Sequence, residues 1–376
     1  MASSSAAASS SRLPQSAYNP RRHVGVHAER VSDVSSTEYP GHYPGEDHSW
    51  DLAKFRENLK VEVKRLSQRS VEFDLVGVDA SIANAFRRIM IAEIPTIATE
   101  HVYVWNNTSV IHDEVLAHRI GLVPLNVPPG MFKYRNPNGV PTDQDTIVFK
   151  LNVTCEVDKN TSKEKGAPRK LIHEEVLSGD LEWVPQGEQA SVFTGDLPPP
   201  APTNKNIVLA KLRPGQEIDM DLHAIKGVGK DHAKWSPVAT ASYRLHPLVI
   251  LNPSKPIPPH LAQKFANCFS PGVVQVGKGG RVSIDERNLR KESMSREVLR
   301  HKEFEGSVEL KRIRDWFIFT VESEGPYAPQ DLFPESIRVM REKIANIRHA
   351  AEALLADVDG APGAVAADGD VEMGGV

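Results

Sequence analysis

Apolar residues recur at helical spacing after Asp79. Ile82, Ala83, Ala85, Phe86, Ile89, Met90, Ala92 and Ile94 fall, at about 100° per residue, within an arc of roughly 200°, twice the stripe of a surface helix. Asp79 stands where a carboxylate can accept the free N–H groups of a first turn, and Ile94-Pro95 ends the run, so the pattern predicts a helix from Ala80 to Ile94. Asn84, Arg87 and Arg88 form its narrow polar edge, with Ile91 among them and Glu93 intruding on the apolar side. At ~1.5–3 kcal/mol per large side chain, leaving half of this arc in water would forgo several kcal/mol, comparable with a domain's whole margin of stability. Something covers a second side of the helix. Two layers of its own domain and a partner helix both satisfy the pattern.

After Pro95 the period changes to two, with Ile97, Thr99, His101, Tyr103 and Trp105 alternating against Ala98, Val102 and Val104, which predicts a strand. A turn at Asn106 to Ser109 follows, and then a short helix capped by Asp113, carrying Val115, Leu116 and Ile120 and stopped by Gly121. Upstream, Leu59, Val61 and Val63 and then Val71, Phe73 and Leu75 read as two strands joined around Ser67-Gln68-Arg69. Downstream, Ile147, Phe149, Leu151, Val153, Cys155 and Val157 alternate strictly, and further strands are predicted near 207–212, 217–224, 242–251 and 308–321. A helix is expected over 260–269, then a small strand pair around Gly277-Gly279-Gly280 and a charged helical run to 303. Pro334 opens a long helix in which Ile337, Met340, Ile344, Ile347, Ala351 and Leu354 alternate spacings of three and four, the seam of helix-on-helix packing.

The chain has 376 residues, 40% of them hydrophobic, enough for one or two globular domains. A net charge of −4 does not suit a broad DNA clamp, which needs clustered excess Lys and Arg; a place inside a larger machine suits it better. Two cysteines, Cys155 and Cys268, supply neither a disulfide framework nor a four-cysteine zinc site. No apolar run reaches the length of a membrane span, and the N-terminus lacks the apolar core of a signal peptide. Residues 1–48, rich in Ser, Ala, Pro and His, read as a mobile arm, with Arg21-Arg22-His23 as a solvated cluster in preference to a contact for nucleic acid or an acidic partner. Lys159 to Arg169 reads as a charged loop, Asp196 to Asn206 as an extended connection and the stretch after Ala356 as an acidic tail. Asp219 and Asp221 form a DxD but alternate with Ile218, Met220 and Leu222, so they line the wet side of a strand. The Gly- and Lys-bearing run from Lys226 to Lys230 lacks P-loop spacing, and His118 and His232 lack metal-ligand spacing. There is no paired-carboxylate site, nucleophile with a base motif, HExxH or dinucleotide fingerprint.

Three blocks carry a family resemblance: Asn84-Ala85-Phe86-Arg87-Arg88-Ile89, the run Asp113 to Leu125 (DEVLAHRIGLVPL), and the run Lys226 to Ala239 (KGVGKDHAKWSPVA). Together they resemble the alpha-like subunits of cellular RNA polymerases, over most of the ordered chain. The resemblance implies an α+β fold: a discontinuous alpha-subunit-type dimerisation domain of a sheet and two long helices, interrupted by a mainly β domain. On this reading 49–96 plus 242–356 form the dimerisation domain, 97–241 the inserted domain, 266–303 a ferredoxin-like remnant, and 1–48 and 357–376 disordered ends. It implies pairing with a smaller alpha-like subunit through Ile82, Phe86, Ile89, Met90, Ile337, Met340, Ile344 and Ile347. It also implies docking of the second-largest subunit, and then the largest, with Arg87, Arg88, His118, Arg119, Lys230, His232, Lys234 and Trp235 at the second-largest subunit; Trp235 packing within its own domain is the other reading of that loop. Archaeal relatives can hold an iron–sulfur cluster near 266–303 and the polymerase II relative has a cysteine-rich zinc loop. Neither cysteine set is present here, which favours the form shared by polymerases I and III over those two alternatives. The expected role is a non-catalytic assembly subunit in the nucleus and nucleolus, serving synthesis of ribosomal RNA precursors, 5S rRNA and tRNA. No cofactor, membrane or sequence-specific DNA contact is implied. A stand-alone metal-dependent hydrolase built on Asp219 and Asp221 is the remote competitor from another class.

Overall fold

The computed structural model describes residues 22–34, 50–157, 171–195 and 197–360. The elements that position the functional surfaces are, in chain order, β1 (His23–Val26), β2 (Val31–Ser32), β3 (Lys60–Leu66), β4 (Ser70–Val76), α1 (Ala80–Ala92), β5 (Thr96–Asn107) and α2 (Asp113–Gly121). They continue with β6 (Thr146–Thr154), β7 (Glu182–Val184), β8 (Glu217–Gly227), β9 (Val238–Leu251), β10 (Val308–Ser323) and α3 (Leu332–Gly360).

Six strands form an antiparallel sheet in the order β2-β1-β10-β4-β3, with β9 along the other side of β10. The 16-residue β10 is its spine, pairing with β9 on one side and with β1 and then β4 on the other. Phe73, Leu75, Phe317 and Phe319 point to one face, and α1 and the start of α3 close over them. Phe73 stacks on Phe319 with ring centroids 5.1 Å apart, and Phe333 of α3 lies 4.9 Å from Phe73 and 5.1 Å from Phe86 of α1. The expected cap of α1 is present: Asp79 Oδ1 accepts the Ser81 N–H at 2.8 Å, and bonds from Ser81 hold its carboxyl below the usual range.

A second antiparallel sheet, ordered β7-β6-β8-β5, packs its apolar side against α2. Its core contains Ile147, Phe149, Leu151, Val153 and Cys155, the strict alternation of the sequence realised as one buried face. Cys155 and Cys268 are both buried, which pushes their thiols above the ordinary range and leaves them as small core residues.

The structure departs from the sequence expectations at five places. Within the expected free arm, His23–Val26 is a strand with all four residues buried, and Arg22 pairs with Asp315 instead of lying in solvent. Four residues inside a Ser- and Ala-rich stretch are too few to shift a compositional reading. The charged run before 303 is a series of short 3₁₀ turns, and the strand pair Val274–Val276 with Val282–Ile284 stands alone, so no ferredoxin-like sheet exists among the described residues. The reason is visible in the buried positions Leu289, Met294, Val298 and Phe304, whose spacing is not helical, and in the left-handed backbone at Met294 and Arg296. Asp113 does not cap α2; it is the first helical residue, accepts from Asn107 at 2.6 Å, and His112 occupies the cap position. β9 begins at Val238, four residues before the expected strand, because a bulge after Val238 hides its alternation. In β5 the alternation switches at Glu100, a bulge opposite His223 and Ala224, so Ile97 and Val102 reach the same core. The remaining parts of the expected arm, the Lys159 to Arg169 loop and the tail after 360 lie outside the described residues.

Behind the first sheet, Arg290 reaches Glu72 and Asp74 of β4, at 3.2 Å from the nearer Asp74 oxygen, and Arg244 donates to the Glu292 carbonyl at 3.0 Å. These bonds fasten the 270–304 segment to the sheet. Burial pushes the Asp74 carboxyl up, against the pull of Arg290 and Lys64.

Candidate assembly surfaces

The wide apolar arc of α1 is consumed largely by its own domain. Ala83, Phe86, Ile89, Met90 and Ile94 are buried against β4, β10 and α3. Of the residues expected to face a pairing partner, Phe86, Ile89 and Met90 are therefore core residues, because the sheet face bearing Phe73 and Phe319 needs a lid. Met340 is half-buried on the same core. Ile82, Ile337, Ile344 and Ile347 are exposed.

Among the described residues, α3 is a helix left largely without cover. Its first turns pack Leu332, Phe333 and Val339 into the core, and then every residue from Arg341 to Leu355 is exposed. Ile344, Ile347 and Leu354 remain 59%, 70% and 67% accessible, so the three-four repeat lies in water along a projecting helical arm. The root of the arm is fixed by Lys343, whose ammonium contacts both oxygens of Glu93 at 2.8 and 3.0 Å, and by Arg338 between Glu335 and Glu342.

The second surface lies where the two sheets join. The loop after β8 folds back on the end of α1: the Lys230 N–H donates to Ala92 O at 2.8 Å, and a Cβ at Gly229 would meet Ile91 O at 2.4 Å. Trp235 is buried, donates from Nε1 to Ile225 O at 3.1 Å, and its carbonyl accepts from Thr96 Oγ1 at 2.7 Å. Its indole lies against Gly227, where a Cβ would approach the ring to 2.4 Å. Lys234 sits over the indole at 4.5 Å, donates to Thr99 O at 2.9 Å and pairs with Glu100, the bulged residue of β5. The bulge thus turns Glu100 toward the loop. Tyr327 donates to Pro95 O at 3.0 Å and completes the tie at the exit of α1.

The eight residues expected at this junction therefore divide. Trp235 and Lys234 hold the loop to their own domain. Arg119 donates to the carbonyls of Leu209 and Val208 at 3.0 and 2.8 Å, tying α2 to the neighbouring strand, and Arg87 donates twice to Asn84 on its own helix. Arg88, His118, Lys230 and His232 are exposed. The rings of His118 and His232 meet edge to face, with centroids 5.9 Å apart, in a cleft of about 240 Å³ that is also lined by Glu100 and Lys234. His232 Nδ1 accepts the Lys234 N–H at 3.1 Å, so the ring proton sits on Nε2. Sequence reasoning found the loop but missed the two glycines, whose lack of a side chain lets Trp235 and α1 approach.

Asp219 and Asp221 lie on the wet side of β8 as expected, Asp219 3.9 Å from Lys150 and Asp221 accepting from Trp105 Nε1 at 2.8 Å. Among the described residues no three His, Cys, Asp or Glu side chains converge as a metal ion would require.

Comparison with known proteins gives the same direction. The family described as the RNA polymerase Rpb3/Rpb11 dimerisation domain matches residues 72–344. DNA-directed RNA polymerases I and III subunit RPAC1 of Saccharomyces cerevisiae is 44% identical over 332 residues, covering 87% of this chain and 97% of the relative. The human protein of the same name is 44% identical over 317 residues, 83% of this chain and 90% of its own. DNA-directed RNA polymerase II subunit rpb3 of Dictyostelium discoideum is more distant, 30% identical over 317 residues, 80% of this chain and 97% of the relative.

Proposed function

The chain belongs to the RNA polymerase Rpb3/Rpb11 dimerisation family, and from that premise we propose that it is the larger alpha-like assembly subunit shared by RNA polymerases I and III. It is a scaffold. The markedly higher identity to the polymerase I and III subunit than to the polymerase II subunit supports that assignment.

In this reading 49–96 plus 242–356 serve as the dimerisation domain and 97–241 as the inserted domain. Ile82, Ile337, Ile344 and Ile347 face the smaller alpha-like subunit, with Met340 at the margin, while Phe86, Ile89 and Met90 hold α1 in place from beneath. Arg88, His118, Lys230 and His232 face the second-largest subunit, and Arg87, Arg119, Lys234 and Trp235 shape the surface that presents them. The largest subunit joins that platform. Magnesium-dependent phosphoryl transfer belongs to the two largest subunits, so this chain contributes to synthesis of ribosomal RNA precursors, 5S rRNA and tRNA by building the enzyme, in the nucleus and nucleolus.

The observation that carries the proposal is the arm: a helix whose apolar repeat is left exposed by the described residues. Exposing Ile344, Ile347 and Leu354 forgoes several kcal/mol that a partner's surface would recover. The test is light-scattering mass during size-exclusion chromatography, for the full chain alone and beside the smaller alpha-like subunit. A one-to-one complex lost in Ile344→Glu plus Ile347→Glu, with an unchanged melting curve for the isolated variant, supports the proposal. A chain that ignores that partner refutes it.

A further inference from the structure

The end of α1 joins the root of the α3 arm to the loop after β8. The last carbonyls of a helix have no partner within it. Here the loop supplies one: Ala92 O accepts the Lys230 N–H at 2.8 Å, and Gly229 packs so closely that a Cβ would meet Ile91 O at 2.4 Å. The next residue, Glu93, is the C-cap of α1, where its carboxylate meets the negative end of the helix dipole. Lys343 of α3 offsets that repulsion, its ammonium lying 2.8 and 3.0 Å from the two carboxylate oxygens. One turn of backbone therefore carries the arm on one side and the loop on the other. Lys226, at the start of the loop, feels the same root: partial burial lowers its pKa, Arg338 of α3 adds to the fall and Glu342 opposes it.

We infer that the Glu93–Lys343 pair couples the two assembly surfaces, so that covering the α3 arm firms the loop that presents Lys230 and His232. The inference rests on the pairing proposed above. Lys343 and Ile347 stand at i and i+4 and share a helix face, which puts the pair at the border of the arm. In the isolated chain the side chains of Lys343 and Glu93 are 49% and 29% accessible, so water screens the pair and lets it open at little cost. A partner lying over Ile347 removes much of that water. An open pair then leaves two charges poorly solvated, and the closed geometry is the one that survives. Closure fixes the last turn of α1, whose Ala92 carbonyl anchors Lys230 and whose Ile91 carbonyl backs Gly229. The bistable element is the pair itself, open or closed. Linkage makes the effect reciprocal: a partner that binds the ordered loop tightens the pairing at the arm by the same factor.

The test is hydrogen–deuterium exchange in the full chain, alone and with the smaller alpha-like subunit at concentrations where light-scattering mass shows each variant fully bound. The Lys230 amide, bonded to Ala92 O, is the reporter. The expected result is exchange slowed about threefold or more in the complex, the scale that closing one surface pair can supply. Glu93→Gln and Lys343→Gln, which remove one charge each, should both lose the slowing. A complex with unchanged exchange at Lys230 overturns the inference and leaves the pairing intact. Slowing that persists in either variant also overturns it, because the partner then protects the loop without the pair. Absence of a complex for the unaltered chain overturns both the inference and the pairing.

Discussion

Phe86 and Ile347 look alike in the sequence, each an apolar residue on an amphipathic helix, yet the structure assigns them opposite energetic roles. Phe86 is buried and packs edge-on against Phe333, so Phe86→Ala removes a core aromatic from a site with little room to collapse, at a cost of ~3–5 kcal/mol to the isolated chain. Ile347 is 70% accessible, so Ile347→Ala costs the isolated chain less than ~1 kcal/mol, and the better helix propensity of Ala offsets part of that. In the paired state the order changes. Covering the rest of Ile347 recovers ~1–2 kcal/mol, so its truncation weakens association by about 5- to 30-fold. Urea unfolding of each isolated variant, followed by circular dichroism, gives the first quantity, and calorimetric titration with the smaller alpha-like subunit gives the second. Phe86→Ala that leaves the unfolding midpoint unchanged, or Ile347→Ala that lowers stability by more than ~2 kcal/mol with unchanged affinity, would refute this division of roles.

Three further outcomes follow from particular contacts. His246 is buried beside Trp316, and burial lowers its pKa from 6.5 to about 4, so the unfolded chain binds the extra proton between those values. Its contribution to stability is intact above the unfolded value and is lost, by roughly 3 kcal/mol, as pH falls from 6.5 toward 4. Comparing chemical denaturation from pH 7 to 4 with His246→Gln isolates that slope from Asp74, whose raised pKa acts in the opposite direction. Gly227→Ala forces a methyl into the Trp235 ring and is expected to destabilise by ~1–3 kcal/mol, with a change in near-ultraviolet dichroism and weaker docking of the second-largest subunit. Arg290→Ala strips Asp74 of its closest cation in a buried setting and should cost ~3–5 kcal/mol in a thermal or urea melt, whereas Glu297→Ala, whose partner Arg300 is exposed, should change stability by under ~1 kcal/mol.

Local periodicity and capping made much of the architecture legible before any coordinates. Asp79 and Pro95 bracketed α1, strict alternation from Ile147 to Cys155 defined the core strand of the second sheet, and the three-four repeat after Pro334 announced α3. These signals are short-range, and each element had to present one apolar face whatever lay opposite. What lies opposite is a long-range property. The sequence could not distinguish Phe86 from Ile347, because both sit on apolar helical stripes, and only the position of β4 and β10 beneath α1 decided which one is core. Likewise Val61 and Val63 read simply as strand residues until the order of the sheet placed β3 at its edge, where both are exposed. Trp235 and Lys234 stood in a recognised loop, but their inward orientation depended on Gly227 and on a bulge at Glu100, more than a hundred residues away in the chain. Period and punctuation thus determined most of the helices and strands, though not β1 or the 3₁₀ turns before 303, while burial, and with it the surface left for partners, emerged only when distant segments met.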